Sequence, residues 1–397
     1  MILKFLLIIG LFLLYFFMRD KGKEREYLYL TVIMLVLREM NIPVLGSITP
    51  STVMIIAIFL GSFSQISIYL KPHMIYIFML IFATLLGLIT TNFDYVKVLE
   101  WTLLLSSVVV ISSLCQSFIH TEINLKDLTK YIIIVCFIFS FTTIMAFHGF
   151  ADGTVIFSGF DMSNGNNYHA SRIYGITFSN LVQAISVISI CLIPSLGLKR
   201  KWVEYLIIIV FVYAGLITLK RMTFIAMVIS LMYYLRMQVR IRNYKVFLIV
   251  VTLCTIFVYL WWEPLMYRFG IAGLGADTIT DHSTQTRFDR IGYAVDAFEH
   301  SPILGMGSGY VTYVHNGFFE ILANCGVVGV LIIFLKYIPR ISDIFHGNPY
   351  AVATSLYVVT CFSLESAINH AQTIYFLGLF LGGYYSSRKI ELSNNTK

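Results

Sequence analysis

The chain has 397 residues, 58% of them hydrophobic and 12% charged, with a formal net charge of +7. Globular proteins carry about 25% charged residues, so half the usual charge cannot cover a soluble body of this size, and a soluble enzyme is excluded. Apolar runs long enough to cross ~30 Å of hydrocarbon as helices recur from end to end. The composition therefore predicts an all-α, polytopic transmembrane helical bundle forming a single integral-membrane domain over residues 1–397.

In chain order, spans are expected at about 2–18, 27–47, 49–70, 74–91, 100–118, 131–149, 173–197, 202–219, 222–237, 246–262, 317–338, 349–366 and 371–386. The second is weak, because Arg38 and Glu39 interrupt it and Pro43 follows, so the expected number is 12–13. The first lacks a small-x-small cleavage site and is followed by a charged stretch, Arg19 to Arg25, so it reads as a retained helix. The six cysteines lie inside or at the edge of apolar runs, and no disulfide framework or metal spacing is implied.

Positive charge sets the expected orientation, since Lys and Arg concentrate in cytoplasmic loops. With the 19–26 loop inside, the inner loops and tail carry nineteen Lys and Arg and the outer loops seven. The basic charge is thus a topology signal rather than a nucleic-acid surface, and no nucleic-acid partner is expected. Two outer segments are long. One, at about 150–172, is rich in Gly, Asn, Asp and Ser and reads as turns and loop. The other, at about 263–316, is the largest non-spanning piece, and long loops in compact proteins are usually functional. Within it Phe288, Ile291, Val295 and Phe298 fall at helical spacing, which predicts a short amphipathic helix that lies on the outer membrane surface or packs on the bundle.

The outer cations oppose the positive-inside bias and so need a reason. Five of the seven stand out, Arg172, the two-residue turn Lys220-Arg221, and Arg287 and Arg290, with His315 and Asn316 closing the large loop and Glu320 one turn into the next span. Clustered arginines at an outer interface suit an anion, because guanidinium presents a planar fork of donors that matches phosphate. Single arginines also snorkel to lipid head groups without a ligand. His315 has the chemistry of a general base or of a hydrogen-bonded helix-start residue, and Asn316 that of a helix cap. Gly305, Gly307 and Gly309 form a G-x-G-x-G run outside any βαβ unit, so they read as sharp turns or as backbone N–H groups near a phosphate. Glu365, near an outer span end, is an intramembrane carboxylate. There is no Walker A, G-x-S-x-G, H-E-x-x-H or Asp-x-Asp, so no metal, nucleotide or other cofactor is expected.

These residues resemble the O-antigen polymerase and O-antigen ligase superfamily. The resemblance is carried by Arg287, Ala294, Ser301-Pro302-Ile303-Leu304-Gly305-Met306-Gly307, His315-Asn316, Glu320 and Gly326-Val327-Val328-Gly329. Upstream, Arg172-x-x-Gly175 with Asn180 resembles the family's Arg-Gly-Asn element, and Arg221-Met222-Thr223 its Ser-Arg turn. Lys220 stands where Ser is usual and Ser179 where Pro often precedes the Asn. The resemblance spans roughly residues 170–335.

It implies a metal-independent glycosyl transfer on the outer face of the bacterial cytoplasmic membrane, from an undecaprenyl-pyrophosphate-linked glycan. Arg172, Arg221 and Arg287 would grip the pyrophosphate, and His315 would take the proton of the attacking sugar hydroxyl. Lys220, Arg290, Asn180, Asn316 and Glu320 are the further substrate-binding candidates. Membrane lipid, a flippase and a chain-length regulator are the expected partners. A repeat-unit polymerase for O-antigen, capsule or exopolysaccharide is favoured over a ligase, because each polysaccharide type needs its own polymerase. A transporter or flippase is the third reading. It is disfavoured because transporters place ionisable groups near the bilayer midplane, whereas these gather at the outer interface.

Overall fold

The computed structural model describes residues 2–39, 50–92, 94–148, 153–156, 172–175, 180–217, 221–240, 252, 282–312, 314, 316–362 and 371–395. The expected span at 246–262 (residue 252 apart), Lys220, His315 and Glu365 lie outside the described residues. Two compact units are present, one of Met1–Val135 with Thr286–Lys397 and one of Cys136–Gln285.

The first unit opens with α1 (Ile2–Asp20), α2 (Glu24–Glu39), α3 (Pro50–Gly61), α4 (Phe63–Leu70), α5 (Met74–Thr90) and α6 (Tyr95–Phe118), and with the start of α7 (Glu122–Phe147). Among the described residues, Phe63–Thr90, Tyr95–Phe118, Glu122–Met145 and Gly317–His346 are long and apolar enough to cross a membrane, with shorter apolar helices beside them. The chain is an all-α polytopic membrane protein. The helices turn polarity inward: α6 buries Ser112, Ser113 and Ser117 while Leu99 and Leu103 stay exposed. Lipid tails solvate Leu as well as a core does, so small and hydroxylated residues gather where helices meet.

The C-terminal part of this unit holds α11 (His282–His300, from Thr286), α12 (Gly317–Tyr337), α13 (Ile341–His346), α14 (Pro349–Tyr357) continued by one π turn, and α15 (Ala371–Asn395). Helix α15 lies along α6 through Gly378 and Gly382, where a Cβ would meet Ile111 and Cys115 respectively. This Gly-x-x-x-Gly seam permits close backbone approach. Asn348 caps α14 by accepting from the Tyr350 and Ala351 amides, each at 3.1 Å, and Thr129 Oγ1 meets Tyr350 OH at 2.9 Å.

The second unit contains the end of α7, strands β1 (Gly153–Ile156) and β2 (Arg172–Gly175), α8 (Asn180–Ile188) with a 3₁₀ extension to Leu196, α9 (Lys201–Ile217) and α10 (Arg221–Arg240). A buried amide joins α7 to α8: Gln183 Nε2 donates to Thr143 Oγ1 at 2.7 Å and its Oε1 accepts from Ser140 at 3.2 Å. Glu204 on α9 is fully buried, paired with Lys201 Nζ at 2.6 Å and accepting from Tyr234 of α10 at 3.2 Å.

Two expectations shift here. The 150–172 segment, read as turns and loop, contains the first strand of an antiparallel ribbon with Ile156 opposite Arg172 and Gly153 opposite Gly175. Of the span expected from 173, residues 173–175 are strand, and the described helix begins at Asn180. Thr154, Val155, Ile156, Ile173 and Tyr174 are β-branched or aromatic and suit a pleated pair.

Candidate functional site

The nine candidates divide between the units. Arg172, Asn180, Lys220 and Arg221 belong to the second; Arg287, Arg290, His315, Asn316 and Glu320 belong to the first. In the second unit Arg172 opens β2, Asn180 is the first residue of α8 and Arg221 the first of α10.

In the first unit, Arg287 and Arg290 lie on α11, as the amphipathic pattern predicts. The helix packs rather than standing free. Ala294 and Ala297 are buried against Val314 and Ala323, with Ile291, Met306, Val311 and Phe319 around them. The contact centres on the two alanines rather than on the larger predicted stripe, of which Ile291 packs beside them. The segment bearing both arginines is thereby tied to the head of α12.

That head is capped by Asn316. Its Oδ1 accepts from the Phe318 amide at 3.0 Å and the Phe319 amide at 3.2 Å, and its backbone carbonyl accepts from Glu320 N at 3.0 Å. Asn316 thus fills the cap role its position suggested. The cap and the first turn set Glu320 on the inner side of the bundle, where it is fully buried and accepts from Trp101 Nε1 of α6 at 3.0 Å.

The segment between α11 and α12 is locked by an exchange of backbone hydrogen bonds. Helix α12 breaks at Gly326, whose φ of 63° and ψ of −168° are not helical. In an unbroken helix Val327 N and Val328 N would donate to the carbonyls of residues 323 and 324. Instead they donate to Pro302 O at 2.9 Å and Ile303 O at 3.3 Å, while Met306 N and Gly307 N take the freed carbonyls of Ala323 and Asn324 at 2.8 and 2.9 Å. Asn324 adds a second clamp, with Nδ2 donating to Val311 O at 2.7 Å and Oδ1 accepting from Val311 N at 3.0 Å. Irregular backbone inside a span persists only where its polar groups are satisfied again, and here the inserted loop satisfies them.

The glycine run has its explanation in the same place. Gly305, Gly307 and Gly309 all have positive φ, at 73°, 97° and 75°. A Cβ on Gly307 would strike the backbone of Gly87 in α5, and one on Gly87 would strike Ser308. Ser308 N donates to Ala83 O at 2.8 Å, and Thr90 Oγ1 donates to Met306 O at 2.6 Å. The run therefore makes sharp turns. The amides of Met306, Gly307 and Ser308 are engaged by protein carbonyls, so the alternative of a phosphate cradle does not fit these three groups. Nearby, a Cβ on Gly309 would lie 3.0 Å from the Lys97 carbonyl at the start of α6. There Asp94 accepts a hydrogen bond and an ion pair from Lys97, at 2.9 Å, which lowers its carboxyl pKa.

Residues 205–334 match the O-antigen ligase family model. The match supports membership of the O-antigen polymerase and ligase superfamily, a glycosyltransferase-like enzyme group. It covers about a third of the chain, runs from α9 into α12, and encloses Lys220, Arg221, Arg287, Arg290, His315, Asn316 and Glu320. Arg172 and Asn180 lie outside it. No curated protein matches the chain. Sequence reasoning missed Trp101, Asn324 and Gly87. A polar Asn in the middle of an apolar span was the available signal for Asn324; Trp101 and Gly87 look like ordinary span residues.

Proposed function

We propose that this protein polymerises undecaprenyl-pyrophosphate-linked oligosaccharide repeat units on the outer face of the bacterial cytoplasmic membrane. The observation that supports glycosyl transfer of this kind is the family match, which encloses two arginines on α11, Arg221 at the head of α10 and the His315-Asn316 pair before α12; polymerase is preferred because each polysaccharide type needs its own. Arg172, Arg221 and Arg287 hold the donor pyrophosphate and stabilise the charge left on it. Arg290 and Lys220 add positive charge, and Asn180 contributes substrate contacts. His315 removes the proton from the acceptor hydroxyl as the anomeric carbon is attacked. Asn316 and Glu320 fix the helix head beside it. The chemistry runs without a metal or nucleotide.

A second reading, transfer of finished polysaccharide to another acceptor, is favoured by the description of the matching family as O-antigen ligase. Deletion of the gene in its host separates the two. A polymerase leaves single repeats on the final carrier, whereas a ligase leaves full-length chains stranded on undecaprenyl pyrophosphate. An unchanged polymer ladder on its normal carrier overturns both.

A further inference from the structure

Beside the packed face of α11 is an open groove of about 470 Å³, lined by Tyr293, Asp296, Ala297, His300, Tyr310, Val311 and Thr312. We propose that this groove is a carbohydrate subsite that binds pyranose residues of the glycan by ring stacking on Tyr293 and Tyr310, with Asp296 and His300 hydrogen-bonding sugar hydroxyls. The proposal rests on the polymerase reading and names where its glycan lies.

The lining has the two features that sugars require. A pyranose presents C–H bonds on its faces and hydroxyls around its edge. The faces suit the electron-rich face of an aromatic ring, and the edge suits carboxylate and imidazole acceptors. Tyr293 is 69% exposed and Tyr310 43% exposed, and both border the groove. His300 Nδ1 lies 2.7 Å from the Asp296 carbonyl. A carbonyl only accepts, so Nδ1 carries the proton in this contact and Nε2 is left for a sugar hydroxyl. Among the described residues the lining contains no Lys or Arg, which separates the groove from an anion site.

The floor is fixed before any ligand arrives. Ala297 is 5% exposed and belongs to the α11–α12 cluster, and both peptide groups of Val311 are held by the Asn324 amide. Preorganisation of this kind lowers the ordering cost of binding. Position along α11 supports the same occupant. Tyr293, Asp296, Ala297 and His300 follow Arg287 and Arg290 at i, i+3, i+4 and i+7 spacing, so they share one face over about 10 Å of helix. A lipid-linked glycan has its pyrophosphate at one end and its sugar rings beyond, and α11 lays out arginines first and aromatic and polar groups after them.

The test uses the full-length protein in nanodiscs and, as probe, the repeat-unit oligosaccharide released by mild acid from the host's own surface polysaccharide. Titration followed by saturation-transfer NMR is expected to show binding that Tyr293→Ala and Tyr310→Ala each weaken about tenfold. Tyr293→Phe and Tyr310→Phe keep the rings and remain within about threefold of the unaltered protein. Melting temperatures of all four variants stay unchanged, because both side chains are on the surface. Absence of oligosaccharide binding by the unaltered protein overturns the subsite, as does wild-type affinity in both Ala variants, the result expected if the tyrosines only anchor in the head-group layer. The two readings fail separately. Tyrosine-dependent binding in a host whose deletion strain still polymerises leaves the subsite standing and removes the polymerase. Normal polymerisation that depends on the protein, with affinity indifferent to both tyrosines, does the reverse.

Discussion

Trp101 donates its indole N–H to the carboxylate of Glu320 across 3.0 Å, and both side chains are buried, at 1% and 0% exposure. The pair connects α6 to the head of α12, the helix that Asn316 caps. A buried carboxylate is costly unless hydrogen-bonded, so this contact fixes where the first turn of α12 sits.

Removing the donor therefore has a defined cost. Trp101→Phe keeps much of the ring volume but withdraws the N–H from Glu320, with an expected loss of about 1–3 kcal/mol. Glu320→Gln keeps an acceptor oxygen for the indole and costs less. Thermal unfolding of detergent-solubilised protein, followed by size-exclusion fluorescence, ranks the two. A Gln variant less stable than the Phe variant contradicts this assignment of the pair.

The exchange of hydrogen bonds around Gly326 makes a second prediction. Gly307→Ala and Gly326→Ala place a Cβ on a residue with positive φ and drive it into neighbouring backbone. Conformational strain alone costs about 1–3 kcal/mol, and the collision adds to it. Both variants should lose most folded yield. Gly10→Ala on α1, where a Cβ meets nothing within 4 Å, should be neutral or slightly stabilising. Equal yields for all three variants would contradict the exchange.

How much of this was legible in the sequence follows from the range of each interaction. Helices α5, α6, α9, α10 and α12 fall within a few residues of the expected spans, because membrane-length apolar runs are a local signal. The helix in the large loop was legible from its periodicity, and Asn316 as a cap from its place before an apolar run. The ribbon of β1 and β2 was not, since a 15-residue gap rich in Gly, Asn and Ser separates two four-residue pairing segments. The purpose of the glycine run was also hidden. It depends on Gly87, some two hundred residues away, and on a helix break at Gly326 that an apolar sequence does not announce.

Orientation is tested by accessibility. The 263–316 loop is expected outside the cytoplasm, because the loops on either side of its flanking spans are basic. Gly292→Cys suits the test, as a Cβ there meets nothing within 4 Å. The described native cysteines are all buried and give little background. A membrane-impermeant maleimide should label the variant in intact spheroplasts. Labelling only after the membrane is opened would place the loop, and the candidate site with it, on the cytoplasmic side.

The arginines are separable by charge and by shape. Arg221→Ala and Arg287→Ala should abolish polymer while the protein still inserts. The Lys variants should recover only part of it, because ammonium keeps the charge and loses the bidentate fork. The readout is polymer ladder length and amount in a complemented deletion strain. Normal ladders from both Ala variants would remove pyrophosphate gripping from these two residues.

His315 carries the most exposed step of the proposed mechanism. If it is the general base, His315→Ala should lower the rate about 10²- to 10⁴-fold. Donor binding should persist, since the arginines hold the pyrophosphate. His315→Gln should fail equally, because an amide forms hydrogen bonds but does not take up the proton. A helix-start role predicts the opposite, with Gln keeping the hydrogen bond and much of the activity; Asn316 already supplies the cap of α12 through Phe318 and Phe319, so that role has little left to explain. The assay is purified enzyme in nanodiscs with lipid-linked repeat units, read as a ladder. An active Gln variant would take His315 out of the chemistry. Glu320 would be the next base to test, although its burial against Trp101 requires the head of α12 to open before it could reach a sugar hydroxyl.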